Sequence, residues 1–108
     1  MPSSRIELFR KALEADPSNE LAHFSLANER CEEGLFDEAL KHYEACLAAN
    51  PGWMRVHIQV GKCCLEMGVP ERARESLLKA KELMSLNRDF ENLQEVEDLL
   101  EGLEGYGD

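Results

Sequence analysis

NERCEEGLFDEALKHYEACLAANP, residues 28–51, contains positions whose chemistry returns when the sequence is shifted by 34 residues. The matching pairs are Gly34 with Gly68, Ala39 with Ala73, and Pro51 with Pro17. Self-similarity at a fixed period indicates a repeat architecture, because each repeat is one structural unit that stacks on its neighbour. The period therefore predicts the fold class before any single helix or strand is considered.

The same shift relates further positions in and around this stretch. It matches the large–small pair Leu26-Ala27 to Val60-Gly61. It also relates two small–large–small stripes, which are Ala39, Tyr43 and Cys46, and Ala73, Leu77 and Ala80. With this spacing, residues 3–84 resemble the tetratricopeptide-repeat family, with His23 and His57 in place of an early aromatic residue and Ser85 in place of the second closing proline. The resemblance implies an all-α, right-handed solenoid of antiparallel helix pairs.

Turn residues divide the chain into six expected helices. Proline disfavours helical geometry in the residue before it, and glycine accommodates the left-handed conformation that ends many helices. Ser4 and Glu7 have the spacing of a capping box at the start of the first helix. The expected helices cover about 4–15, 20–33, 37–49, 53–67, 70–84 and 88–102, with a break at 85–87. They predict one domain over 1–108, made of a half-repeat at 3–17, repeats at 18–51 and 52–85, a capping helix at 86–104 and a frayed tail at 105–108.

The last expected helix departs from the repeat pattern. Its apolar residues fall on one stripe opposite an acidic face, and they are Phe90, Leu93, Val96, Leu100 and Leu103. Terminal repeats are atypical because one of their faces must meet water. This helix is therefore expected to cover the apolar side of the second repeat.

Composition narrows the class of protein. The 108 residues include no threonine and are rich in leucine, alanine and glutamate, which favours helix over sheet. The net charge is −10, and residues 85–108 contain eight acidic side chains and one basic side chain. An acidic surface repels phosphate backbones, so nucleic acid is excluded as the expected partner. No apolar run approaches the length of a membrane span, and no secretory signal is recognised, so no membrane association is expected.

The spacing of the cysteines and histidines indicates structural roles rather than metal binding or catalysis. None of the four cysteines belongs to a C-x-x-C pair, which favours reduced thiols and a cytoplasmic protein. The alternative is a metal site that gathers His57, Cys64 and Cys31. His23 recurs with the period at His57 and is expected to be structural, whereas His42 is expected at the surface. No catalytic motif is present, so the sequence predicts neither an enzyme nor a cofactor.

The resemblance implies that the first helix of each repeat lines a concave groove for a partner peptide. Leu21, Phe24 and Ile58 would provide apolar anchoring. The polar positions Asn28, Arg55, Gln59 and Lys62 would orient the partner, and Cys31 completes the set. Arg55 and Lys62 are seven residues apart and so share a helix face. This mixture suits a protein or peptide partner with an acidic or C-terminal carboxylate group.

A second hypothesis assigns a different role to the same fold. The open ends of a short repeat array offer apolar surface, and stacking on another copy would cover it. The chain would then be a self-assembly module that forms a homodimer. The sequence favours the protein-interaction adaptor that binds a partner peptide, and this self-assembly module is the alternative.

Overall fold

Six α-helices contain most of the residues that the structure describes. The structure is a computed structural model that describes the backbone of residues 2–104 and the side chains of residues 6–104. The helices are α1 Pro2–Ala15, α2 Glu20–Glu32, α3 Phe36–Ala49, α4 Met54–Glu66, α5 Pro70–Asn87 and α6 Leu93–Leu103. Residues 2–104 contain no β-strand, as predicted. The expected capping box at Ser4 and the expected frayed tail at 105–108 lie outside the residues described at side-chain level.

The helices fall into two units. The first unit ends at Pro51 and the second begins at Gly52. In the first unit α2 pairs with α3, and α1 packs on α2. In the second unit α4 pairs with α5, and α6 packs on α5.

Two glycines end the first helix of each pair in the same way. Gly34 and Gly68 have φ angles of +79° and +74°, a conformation that glycine adopts without the strain of a side chain. The N–H of Leu35, just after Gly34, donates to the Arg30 carbonyl at 2.8 Å, and the N–H of Val69 donates to the Cys64 carbonyl at 2.8 Å. These bonds satisfy carbonyl groups that a helix end leaves without partners. The period in the sequence is therefore a period in backbone conformation.

Small residues lie where the paired helices approach each other. Ala39 and Ala73 are fully buried, and so are the large residues of the same stripes, Tyr43 and Leu77. Gly61 on α4 permits a particularly close approach, because a Cβ atom there would lie 2.7 Å from Leu77 Cγ on α5. The small–large–small stripes thus form the interior of each pair, as the sequence predicts.

The break expected at residues 85–87 is wrong. Helix α5 continues through these residues to Asn87 and ends at Arg88, whose φ of 54° is left-handed. Ser85 replaces a closing proline, and without that proline nothing removes a backbone donor or forces the chain out of helical geometry. The next helix consequently begins at Leu93 rather than at 88.

The predicted apolar stripe of the last helix is confirmed except at Phe90, its first residue. Val96 and Leu103 are fully buried on α6, and Leu93 and Leu100 are half-buried. Phe90 lies in the connection before α6 and is 52% exposed, so its predicted place in the stripe is wrong. Arg74 of α5 donates to the Leu103 carbonyl at 3.3 Å, which fixes the C-terminal end of α6.

Candidate peptide-binding faces

One face of α2 carries the four residues that the sequence predicts for the groove in the first unit. Helix α2 begins where the Asn19 side chain accepts a hydrogen bond from the Ala22 N–H at 3.0 Å, which caps a free donor of the first turn. From there, spacings of three and four residues keep side chains on one face. We call this set the α2 face: Leu21, Phe24, Asn28 and Cys31. Leu21 is 70% exposed, and the other three are half-buried.

Tyr43 of α3 positions the polar and aromatic members of the α2 face. Its buried hydroxyl donates to Asn28 Oδ1 and lies 3.8 Å from Cys31 Sγ. Its ring centroid is 6.2 Å from that of Phe24, within the range of favourable aromatic pairs. Because Oδ1 of Asn28 accepts from Tyr43, the amide NH₂ of Asn28 is turned away as an oriented donor. The α2 face therefore combines an exposed leucine, an aromatic ring and a fixed amide.

One face of α4 carries the predicted residues of the second unit. We call this set the α4 face: Arg55, Ile58, Gln59 and Lys62. Arg55 and Lys62 do share a side of the helix, because both reach the carboxylate of Glu95 on α6. Arg55 Nη1 lies 3.0 Å from Glu95 Oε1, and Lys62 Nζ lies 3.1 Å from Glu95 Oε2. Glu95 is 40 residues from Arg55 and 33 residues from Lys62 in the sequence. Because of this separation, no local sequence pattern predicts the contact.

The prediction that Ile58 is an exposed anchor is wrong. Ile58 is fully buried, in a helix whose other buried residues are Val56, Val60, Gly61, Cys63 and Cys64. Ile58 lies between Arg55 and Lys62 along α4, and α6 reaches across this row through Glu95. The α4 face consequently offers a partner charged and polar groups, with Gln59 half-buried between them.

The two cations keep Glu95 ionised. Burial raises the pKa of the Glu95 carboxyl, but hydrogen bonds and positive charge from Lys62 and Arg55 outweigh it, and the pKa is lowered. A lowered carboxyl pKa stabilises the fold at neutral pH and loses this effect as the pH falls through the folded-state value. At neutral pH the α4 face therefore holds an ionised carboxylate between two cations.

A pair of histidines lies beside the α2 face. Nδ1 of His23 is 3.0 Å from Nδ1 of His42, and Nε2 of His23 is 2.8 Å from the Pro17 carbonyl oxygen. A carbonyl only accepts, so Nε2 of His23 carries the hydrogen and its Nδ1 accepts from Nδ1–H of His42. His23 is structural, as predicted. His42 is half-buried in this pair, so its predicted place at the surface is wrong.

This pair predicts a pH-dependent stability. The pKa of His42 is lowered by burial and by the nearby charges of His23 and Arg30, against the opposing effect of Glu38. Above about pH 6.5 the neutral His42 imidazole stabilises the fold, and this stabilisation is lost as the pH falls through the lowered folded-state pKa of His42. We expect the melting temperature of the wild type to fall more steeply between pH 7.5 and 5.5 than that of His42→Gln. A His57→Gln control should keep the wild-type slope, and equal slopes in all three proteins would contradict the assignment.

The cysteines of the protein are not linked by disulfide bonds. All four cysteines carry thiols, and burial raises the pKa of Cys46, with a smaller effect of Glu20, to about 11. Within the described part of the chain, no group of three or more His, Cys, Asp or Glu side chains is arranged to hold a metal ion. Among the described helices, none has the length and apolar character that crossing a bilayer requires.

No protein-family model matches the chain. Among characterised proteins, it is similar to the peroxisomal targeting signal receptor of Kluyveromyces lactis, with 32% identity over 75 residues. The match covers 69% of this chain and 13% of the receptor. The chain therefore spans a small part of that relative, and the activity of the whole receptor does not transfer to it.

Solved structures share the fold over nearly the whole chain. The Yersinia enterocolitica type III secretion chaperone SycD, in complex with a peptide of the translocator YopD, matches 98% of this chain and 82% of its own. Its TM-score is 0.88, at 20% identity. The complex of the yeast Sti1 TPR2B domain with pHsp70 matches 94% of this chain and 81% of its own, with a TM-score of 0.85 at 14% identity. At these identities the similarity establishes the fold alone.

Proposed function

We propose that this chain, which has the tetratricopeptide-repeat fold, is a protein-interaction adaptor that binds a segment of a partner protein. The fold confirms the resemblance drawn from the 34-residue period. A fold does not define a function, so the proposal depends on the side chains that the two faces present. Solved structures of the same fold include complexes with a YopD peptide and with pHsp70. These complexes support the proposal that the chain binds a partner segment.

The exposure of Leu21 on the same helix face as an oriented amide carries the proposal. Single exposed leucines are common on protein surfaces and need no explanation. Leu21 differs because Phe24 lies one turn further along the same face and Asn28 one turn beyond that, held by Tyr43. Ligand sites combine apolar contact with a few placed polar groups in this way. The α2 face therefore provides both contact area and a hydrogen-bond donor.

Each face has a separate role in the proposed binding. Leu21 and Phe24 anchor an apolar side chain of the partner, and the Asn28 amide donates to a partner carbonyl or carboxylate. On the α4 face, Arg55, Gln59 and Lys62 orient polar groups of the partner. The partner is a protein or peptide with an acidic or C-terminal carboxylate group. We assign no catalytic role to any residue, and the four thiols suit work in the reducing cytoplasm.

A selection from a random dodecapeptide library tests the proposal. We expect the wild-type chain to select peptides that contain both an apolar and an acidic residue. Leu21→Ser should weaken binding of the strongest selected peptide by about tenfold, in line with loss of a central apolar contact. The matched control is Leu86→Ser on α5, because Leu86 is 71% exposed and so equally accessible, and it should bind like the wild type.

Two results would contradict the proposal. Selection of no peptide would remove its basis, particularly if light scattering showed that the chain forms homodimers. An equal loss of affinity in Leu21→Ser and Leu86→Ser would show that the α2 face has no special part in binding.

A further inference from the structure

One carboxylate on α6 bridges two cations on separate turns of α4. Arg55 and Lys62 are seven residues apart, which places their Cα atoms about 10 Å apart along the helix. Their side chains nevertheless converge, so that each donates to a different oxygen of Glu95. The two cations are therefore already arranged around a position that one carboxylate fills.

The bridge is accessible to solvent. The side chains of Arg55, Lys62 and Glu95 are 40%, 42% and 36% exposed. Exposed ion pairs are screened by water and salt and contribute little to stability. A second carboxylate from outside can thus replace Glu95 without leaving a buried charge unpaired, because none of the three charged groups is buried.

The charges around the bridge favour replacement of Glu95 by another acidic group. Two cations and one carboxylate leave the bridge with a positive excess, although the whole chain has a net charge of −10. Ile58 below the bridge is fully buried, so the accessible groups at this point are charged. An apolar partner group would gain little here, whereas a carboxylate would accept charge-assisted hydrogen bonds.

We propose that Arg55 and Lys62 form the subsite for a partner carboxylate, and that Glu95 occupies this subsite in the unbound chain and is displaced on binding. This inference rests on the proposed function, which it deepens by naming the two cations that bind the partner's carboxylate and the residue that occupies their subsite before binding. The partner segment provides an aspartate or glutamate side chain, or a C-terminal carboxylate, that takes the position of the Glu95 carboxylate. Glu95 is then a specificity-determining residue, because only a group that competes with a carboxylate gains access to the two cations.

Glu95→Gln tests the inference in the full chain. The probes are the strongest acidic peptide from the library selection and its neutral twin, in which every Asp and Glu is replaced by Asn and Gln and the C-terminus is amidated. Removing the internal competitor should strengthen binding of the acidic peptide by about tenfold, within the usual range of coupling between two ligands. It should leave the neutral twin within about twofold of its wild-type affinity.

Glu97→Gln is the matched control. It removes the same charge from the same helix, but Glu97 pairs with Lys81 on α5, at 3.9 Å. We expect this variant to bind both peptides like the wild type. The affinity gain of Glu95→Gln should also shrink at high salt, since it depends on exposed charges.

The outcomes separate this inference from the proposed function. If the wild type selects peptides but Glu95→Gln binds them no more tightly, Glu95 is not a competitor and the inference is wrong. Equal gains for the acidic peptide and its neutral twin would show that the substitution acted by loosening α6, which also overturns it. Failure of both the wild type and Glu95→Gln to select any peptide would contradict the proposed function itself.

Discussion

Gly61→Leu should lower the free energy of unfolding by about 3 kcal/mol, the upper part of the range for overpacked cores. A Cβ atom at residue 61 would lie 2.7 Å from Leu77 Cγ and 2.8 Å from Leu77 Cδ2. Both residues are buried, and Leu77 cannot leave the contact without disturbing the packing of α4 against α5. The higher helix propensity of leucine offsets only part of this loss, because even alanine gains only about 0.8–1 kcal/mol over glycine.

Gly102→Leu on α6 is the control for this prediction. A Cβ atom at residue 102 would have no neighbour within 4 Å, so the same substitution should keep or slightly raise stability. Urea titrations of the two variants measure the difference directly. Similar midpoints for both variants would mean that α4 and α5 do not pack through Gly61 as described.

Phe24→Ala should weaken binding of the strongest selected peptide by more than tenfold, as expected for an aromatic hot-spot residue. The ring lies on the α2 face between exposed Leu21 and Asn28, beside Tyr43. Truncation removes apolar contact area from the middle of this face while the Asn28 hydrogen bond to Tyr43 remains. Isothermal titration calorimetry against the wild type gives the loss of affinity.

Phe90→Ala controls for the loss of an accessible phenyl ring elsewhere. Phe90 is 52% exposed in the connection between α5 and α6, and its truncation should leave the peptide affinity unchanged. Phe24→Leu, which keeps apolar area, should recover part of the affinity. Melting curves verify that each variant is folded at the titration temperature. A Phe24→Ala variant that is folded and binds like the wild type would exclude the α2 face as the site.

The period of the sequence predicted the features that depend on local backbone and on spacing. Gly34 and Gly68 end helices because only their left-handed conformation closes the turn, and this requirement is visible in the sequence. Ala39 and Ala73 are fully buried, as expected for small residues that recur at a fixed spacing among large ones. Such features involve neighbours within one repeat, so the repeat pattern is sufficient to predict them.

The end of α5 could not be predicted in the same way. Ser85 occupies the place of a proline, and the repeat pattern predicts that the helix ends there. The backbone continues to Asn87 because no residue at 85–87 prevents it, and the buried Leu83 and Met84 hold the last turns against the core. Phe90 consequently falls in a connection instead of on a helix.

The candidate site was predicted in part. The family resemblance named the residues of the α2 face, and their shared face depends only on one helix and its partner. On the α4 face, burial of Ile58 and pairing of Arg55 and Lys62 depend on where α6 packs. A helix that departs from the repeat gives no sequence pattern for its contacts, so Glu95 could be found only in the structure.

Backbone amide chemical shifts, recorded while the strongest selected peptide is titrated into the ¹⁵N-labelled chain, test the central claim most directly. We predict that the largest shifts fall on α2 between residues 21 and 31 and on α4 between residues 55 and 62, with smaller shifts at Glu95. Shifts confined to other helices, or shifts that follow protein concentration without peptide, would contradict the account and favour self-assembly.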